Sequence, residues 1–261
     1  MADNDAIIGD IMEENIIYAN THDTQEEVSR QIKKYDFLAM PVVDNENRLV
    51  GIVTFDDAMD VIEEEYEEDI SKMAAIAPSD DNYLDTPIWK HSKNRIVWLL
   101  FLMLSSILTG TIISNYQAAF AGMPLLVSFI PMLMGTCGNC GSQASTTVIR
   151  SLAVEEIDLR DFFKVLMKES GIAILVGSCL AVVNAIRILL TYRDWGLAIV
   201  LGVTLIVVIF VSKALGVVLP MLAKKLKFDP AMMAAPLIST VCDSVSVFVY
   251  FNFAIMMLPG V

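Results

Sequence analysis

Residues 231–258 read AMMAAPLISTVCDSVSVFVYFNFAIMML, an apolar run with one carboxylate, Asp243, near its middle and Thr240, Cys242, Ser244 and Ser246 around it. An ionised Asp at bilayer depth costs about 2.5–3.5 kcal/mol even on lenient insertion scales, so it belongs where it meets water, a partner or a cation. Asp243 is therefore the first candidate for a transport site.

The remaining acids sharpen that reading. The chain has 31 acids and 18 bases, and 23 of the acids but only 8 of the bases precede residue 96. Two parts follow, an acidic soluble piece and a nearly neutral apolar one. Glu155, Glu156, Asp158, Asp161, Glu169, Asp194 and Asp229 are expected in or beside connections between apolar runs, leaving Asp243 as the one deep acid. No nucleic-acid partner is expected of a chain with net charge −13.

Five runs, Ile96–Ala119, Pro124–Leu152, Phe162–Leu190, Trp195–Ala223 and Ala231–Leu258, each exceed the roughly 20 residues that cross a hydrocarbon core at about 1.5 Å per residue. The spacing predicts an α-helical membrane protein with five transmembrane helices. Lys90, Lys93, Arg95, Arg150, Arg160, Lys164, Lys168, Lys224, Lys225 and Lys227 fall on one side of that arrangement, and Arg187 and Arg193 on the other. The bias of Lys and Arg toward cytoplasmic loops puts the N-terminus inside and the C-terminus outside the cell (plasma or inner) membrane. The first run begins too late and is too long to be a cleaved signal sequence.

Ahead of the membrane part, residues 6–62 alternate strand and helix signals. A polar turn at Thr21–Thr24 precedes a helical pattern through Val28 and Ile32; strand Ala39–Val43, a turn at Asp44–Asn47, strand Leu49–Thr54 and a helix from Asp56 follow. The string MPVVDNENRLVGIVTFDD, residues 40–57, resembles the CBS domain signature. That resemblance implies a small cytosolic α/β domain with adenine nucleotide (ATP) as a candidate ligand, Thr54 and Asp57 being the nucleotide residues. Only one copy is visible, so such a site needs completing by another copy or a neighbouring subunit. The plainer alternative is a dimerisation module without nucleotide.

Residues 55–69, FDDAMDVIEEEYEED, carry Asp56, Asp57, Asp60, Glu63, Glu64, Glu65, Glu67, Glu68 and Asp69 with no base until Lys72. As a helix this places Ala58, Val61, Ile62, Tyr66 and Ile70 on one face and crowds carboxylates on the others. Like charges at helical spacing repel by a few tenths of a kcal/mol per pair, which divalent cations relieve. A solvated acidic face is the simpler account. Its place between the soluble domain and the first membrane run favours a cation-dependent connecting element. The expected division is 1–62 soluble domain, 63–93 acidic helix and linker, and 94–261 membrane domain.

The second apolar run has a polar interruption, PMLMGTCGNCGSQAST, residues 131–146. Gly135, Gly138 and Gly141 recur every three residues and make a ridge for close approach. Thr136, Asn139, Ser142, Gln143, Ser145, Thr146 and Thr147 add groups that lipid cannot satisfy, so the stretch faces protein or water. Helix packing explains such a stretch taken alone; with Asp243, a water-filled pathway explains it better. Cys137 and Cys140 form a C-x-x-C, but no second pair or His stands near, and with Cys179 and Cys242 all four cysteines lie in apolar runs. A thiol or soft-metal role is weakly supported, and no disulfide framework is implied.

The strings GTCGNCGSQASTTVIRSLA (135–153), IDLRDF (157–162) and DPAMMAAPLISTVCD (229–243) are similar to the membrane domain of the MgtE family of magnesium channels and transporters. The resemblance covers the chain from about residue 7 and implies a homodimer with its pore along the subunit interface. By that resemblance Asp243 holds a hydrated Mg2+ with support from the Ser239 carbonyl, and Asn139 and Ser142 belong to the pore set. The acidic helix corresponds to a plug helix that closes the pore when cytosolic Mg2+ bridges Glu26, Asp57, Asp60, Glu68 and Asp69. The family's N-terminal domain and first CBS copy have no counterpart, so a shortened member or a truncated chain is expected. Cys137 and Ser142 replace a Gly and an Asn of the family pattern, Ala235 stands where members carry Asn, and Lys213 lies inside the fourth run. With fewer amides beside the carboxylate, Mn2+ and Co2+ become candidate cargo, and Lys213 either snorkels or enters the pathway.

A coupled secondary transporter of another divalent metal remains the alternative, needing a second ion site. An intramembrane aspartyl protease would need two carboxylates, and a thiol oxidoreductase a cofactor site; neither is visible, and no enzyme is expected. A sensor with a mere membrane anchor leaves Asp243 unexplained.

Overall fold

A computed structural model describes residues 7, 9, 12, 15–79, 81–116 and 124–257. The expected run ends at Ala119 and Leu258 lie outside the described residues. The chain divides into two compact units, Met1–Glu68 and Asp69–Val261.

In the first unit, β1 (Ala19–Asn20), α1 (Gln25–Tyr35), β2 (Ala39–Val43), β3 (Leu49–Thr54) and the start of α2 (Phe55–Met73) follow the expected order. β1 pairs parallel with β2, and β2 antiparallel with β3, Ala39 opposite Thr54. Thr24 caps α1 by accepting from the Glu27 N–H, Glu26 and Glu27 sit in its first turn and Lys33 and Lys34 in its last, so side-chain charge complements the helix dipole at both ends. The hairpin turns at Asp44, whose carboxylate accepts from the Glu46 and Arg48 N–H groups, with Asn47 left-handed at φ 57°. Ala19, Val28, Ile32, Met40 and Ala58 form the core. This core is small, and Leu49, Val50 and Ile52 of β3 remain exposed.

α2 differs from its expected pattern. Ala58 is buried and Val61 and Ile62 are half-buried, but Tyr66 and Ile70 are 52% and 68% exposed. The small core ends before the helix does, so its apolar face outruns what covers it within the chain.

In the second unit, five helical spans are long and apolar enough to cross a membrane: Ile88–Tyr116, Pro124–Ala153, Leu159–Thr191, Trp195–Lys225 and Pro230–Met257. The protein is an α-helical membrane protein preceded by a small α/β domain. Its helices are α3 (Ile88–Tyr116), the short α4 (Pro124–Val127), α5 (Ile130–Ala153), α6 (Phe162–Thr191), α7 (Trp195–Lys225) and α8 (Ala235–Met257). α3 starts eight residues ahead of the expected Ile96, because Pro87 opens the helix and its first turns accommodate Lys90, Lys93 and Arg95 ahead of the apolar run.

α5, α7 and α8 form the centre. A Cβ on Gly216 of α7 would lie 2.6 Å from the Gly141 carbonyl, and one on Gly141 would lie 2.7 Å from both Ile238 and Ser212 side-chain atoms. Only glycine permits that approach of three helices. Toward the α8 C-terminus the core is Leu126, Phe129, Leu133, Leu201, Tyr250 and Phe251 with their neighbours, and the Tyr250 hydroxyl donates to the Leu126 carbonyl at 2.9 Å. α3 lies mostly exposed, joined to α8 by Thr109 and Ser244 and by Tyr116 stacked on Phe251.

Candidate functional site

α8 begins from a fastened turn. The Asp229 carboxylate accepts from the Ala231 N–H at 2.8 Å and pairs with Lys72 Nζ at 2.6 Å, while the Ser145 hydroxyl donates to the Met233 carbonyl at 2.8 Å. Met73 packs against the Ile149, Ala231 and Ala234 cluster. The end of α2 is thereby tied to the turn from which α8 starts.

Asp243 stands near the middle of the last span and is half-buried. Its sequence neighbours are both fastened inward. Cys242 is buried with its Sγ 3.3 Å from Ser212 Oγ on α7, and the Ser244 hydroxyl lies 2.7 Å from that of Thr109 on α3. Among the described residues no base or hydrogen-bond donor pairs the Asp243 carboxylate. Ser239, one turn earlier on the same helix, faces Gly138 of α5, where a Cβ would come within 3.1 Å of its Oγ.

α5 has two unlike faces. Cys137, Gly138, Cys140, Gly141, Ala144 and Ser145 are buried, whereas Asn139, Gln143, Thr146, Thr147 and Arg150 are exposed along the opposite side. Ser142 is half-buried, and neither it nor Asn139 hydrogen-bonds to Asp243 within the chain. Of the glycine ridge, Gly138 and Gly141 are packed while Gly135 meets open space.

The cysteines do not act as a pair. Cys137 packs with Val208, Ile238 and Cys242, and Cys140 with Ala173 and Ile209; all four cysteines are free thiols. Burial of both side chains against apolar neighbours makes C-x-x-C a packing feature here.

Glu169 requires a correction. Rather than lying beside a connection, it sits about 10 Å into α6 by helical rise, 8% exposed, with Oε2 3.0 Å from Nζ of Lys213, itself 4% exposed. Lys213 neither snorkels to the edge nor stands unpaired. Asp243 is thus one of two acids within the bundle, and the only one of them without a cationic partner among the described residues.

In the first unit, the Thr54 hydroxyl and N–H both donate to Asp57, and Glu26 pairs with Arg30. Asp57 and Asp60 are exposed on α2, Glu68 and Asp69 half-buried near its end. Among the described residues no three His, Cys, Asp or Glu side chains converge as a metal-binding group.

The MgtE divalent cation transporter family matches residues 130–253, and the CBS domain family residues 8–64. Three curated relatives, each called magnesium transporter MgtE, are similar to the chain: 36% identical over 263 residues in Thermus thermophilus, covering 100% of this chain and 58% of the relative; 35% over 260 residues in Enterococcus faecalis, covering 98% and 56%; and 36% over 247 residues in Bacillus subtilis, covering 95% and 54%. The chain spans little more than half the length of these relatives. The polar face of α5, the lone carboxylate of α8 and these matches agree: residues 130–253 are a domain of the MgtE divalent cation transporter family, preceded by a CBS domain.

Proposed function

We propose that the protein conducts divalent cations, Mg2+ foremost, through a homodimeric pore in which Asp243 of each subunit grips the hydrated ion. The observation that carries this reading is the exposed polar face of α5 together with an Asp243 on α8 that has no cationic partner among the described residues. Asn139, Gln143 and Thr146 cannot face hydrocarbon without several kcal/mol of cost per unsatisfied group, so they face water or a second copy. Two Asp243 carboxylates on a dimer axis balance one divalent ion.

Mg2+ is small, takes octahedral oxygen ligation and keeps its water, which suits one carboxylate per subunit, the Ser239 carbonyl, and hydroxyl and amide groups from Ser142 and Asn139 acting through the hydration shell. With Ser142 and Ala235 at the positions where amides are expected, Mn2+ and Co2+ also pass. The membrane potential supplies about 2.3 kcal/mol per charge per 100 mV, so a divalent ion moves inward with no chemical step. The N-terminus is cytoplasmic and the C-terminus extracytoplasmic.

Gating acts through α2. Cytosolic Mg2+ bridges Glu26, Asp57, Asp60, Glu68 and Asp69, relieves their repulsion and holds the acidic helix in the closed state. The Lys72–Asp229 pair and Met73 pass that position to the start of α8. The exposed β3 residues Leu49, Val50 and Ile52 support pairing with a second CBS module, which also completes an ATP site at Thr54 and Asp57. Uptake into proteoliposomes, compared with Asp243→Ala, tests the pore assignment.

A further inference from the structure

The pathway proposed above leaves the buried Glu169–Lys213 pair unused. A buried ion pair contributes little net stability, since desolvating two charges offsets most of their attraction, and apolar residues of similar volume replace such pairs at no loss. Its direction and depth are therefore the informative features. The pair lies one turn from Ala173 on α6 and Ile209 on α7, which pack with Cys140 of α5. It thus joins α6 to α7 where α5 also arrives.

The residue before Lys213 faces the other way. Ser212 is buried, its hydroxyl donates to the Cys137 carbonyl of α5, and its Oγ is 3.3 Å from Cys242 Sγ of α8. Successive positions on α7 thus hold α6 through Lys213 and both α5 and α8 through Ser212. Cys242 directly precedes Asp243, and Gly138, next to Cys137, backs Ser239. A rotation of α7 about its axis would break the salt bridge and move Ser212 off the Cys137 carbonyl together.

We propose that Glu169 and Lys213 are positioning residues for the pathway, fixing the rotation of α7 so that Ser212 sets where α8 presents Asp243, and thereby tuning discrimination among divalent cations. Neither residue touches the ion. This rests on the reading of Asp243 as the pore carboxylate.

The test compares potential-driven uptake of Mg2+ and of Mn2+ into proteoliposomes by the full chain, the double variant Glu169→Leu/Lys213→Met, Ser212→Ala, the triple variant and Asp243→Ala. The expected result is that the apolar pair and Ser212→Ala each shift the Mg2+ to Mn2+ ratio by about threefold or more, and that the triple variant is shifted no further, because both changes act through one link. Glu169→Gln, which removes the charge from the pair at nearly the same side-chain volume and so weakens its hold on Lys213, provides the same comparison should the apolar pair fail to fold. A native ratio in a folded pair variant, or shifts that simply multiply in the triple variant, would overturn the proposal. Failure of both pair variants to fold would assign the pair to stability and overturn it as well. Retained uptake by Asp243→Ala would instead sink the pore assignment, so the two failures are distinguishable.

Discussion

The Thr109 hydroxyl of α3 lies 2.7 Å from the Ser244 hydroxyl of α8, and Thr109 is the buried residue of an otherwise exposed or half-buried helix. That hydroxyl pair beside Asp243, the Tyr116–Phe251 stack at 5.1 Å between ring centroids, the Asn252 side-chain amide donating to the Tyr116 hydroxyl, and Ile112 and Ile113 against the core hold α3 to the bundle. Thr109→Val keeps the volume and removes the bond, at a cost of about 1 kcal/mol. A lower melting temperature of the purified protein is expected, together with earlier protease cleavage near α3; an unchanged melt would show that the pair contributes nothing to holding α3.

The glycine contacts predict opposite outcomes for similar changes. Gly216→Ala would set a Cβ 2.6 Å from the Gly141 carbonyl, a backbone atom that cannot step aside, so about 1–3 kcal/mol of destabilisation is expected. Gly135→Ala meets nothing within 4 Å and is expected to fold as well as the parent. Thermal melting of the two variants side by side decides the matter.

Much of this was legible in the sequence, for reasons that differ from residue to residue. Asp243 stands out because a charge within a long apolar run is a local signal, and the five spans follow from run length. The CBS hairpin is equally local, with Asp44–Asn47 turning between two alternating strands. Glu169 reads as lying beside a connection because charged residues and short polar gaps precede it; its partner Lys213 is 44 positions away, and no local pattern encodes such a pairing. The glycines at 135, 138 and 141 share one spacing, yet which of them is packed depends on Ser239, Ile238 and Ser212 arriving from α7 and α8. Tyr66 and Ile70 fit an apolar face by periodicity, while their exposure reflects how little core lies beneath them.

The thiols predict insensitivity. Cys140→Ala and Cys179→Ala should leave cation uptake at the parent level, since Cys140 only packs against Ala173 and Ile209 and Cys179 is exposed on α6. Complete loss of uptake in either variant would reopen a thiol mechanism.

The acidic helix predicts a magnesium-dependent protection. Titrating Mg2+ should slow proteolysis of residues 56–95, and replacing Asp57 and Asp60 by Asn should weaken that response. Lys72→Met removes the 2.6 Å tie to Asp229 and should uncouple protection of the helix from closure of the pathway, leaving uptake high at cytosolic Mg2+ levels that close the parent. Protection that does not depend on Mg2+ would contradict the sensor.

The most direct test of the whole account is Mg2+ and Mn2+ uptake into proteoliposomes under an inside-negative potential, comparing the protein with Asp243→Ala and confirming by melting that both are folded. The account predicts uptake that follows the potential and is abolished by the substitution. Uptake by the Asp243→Ala variant equal to that of the parent would contradict it.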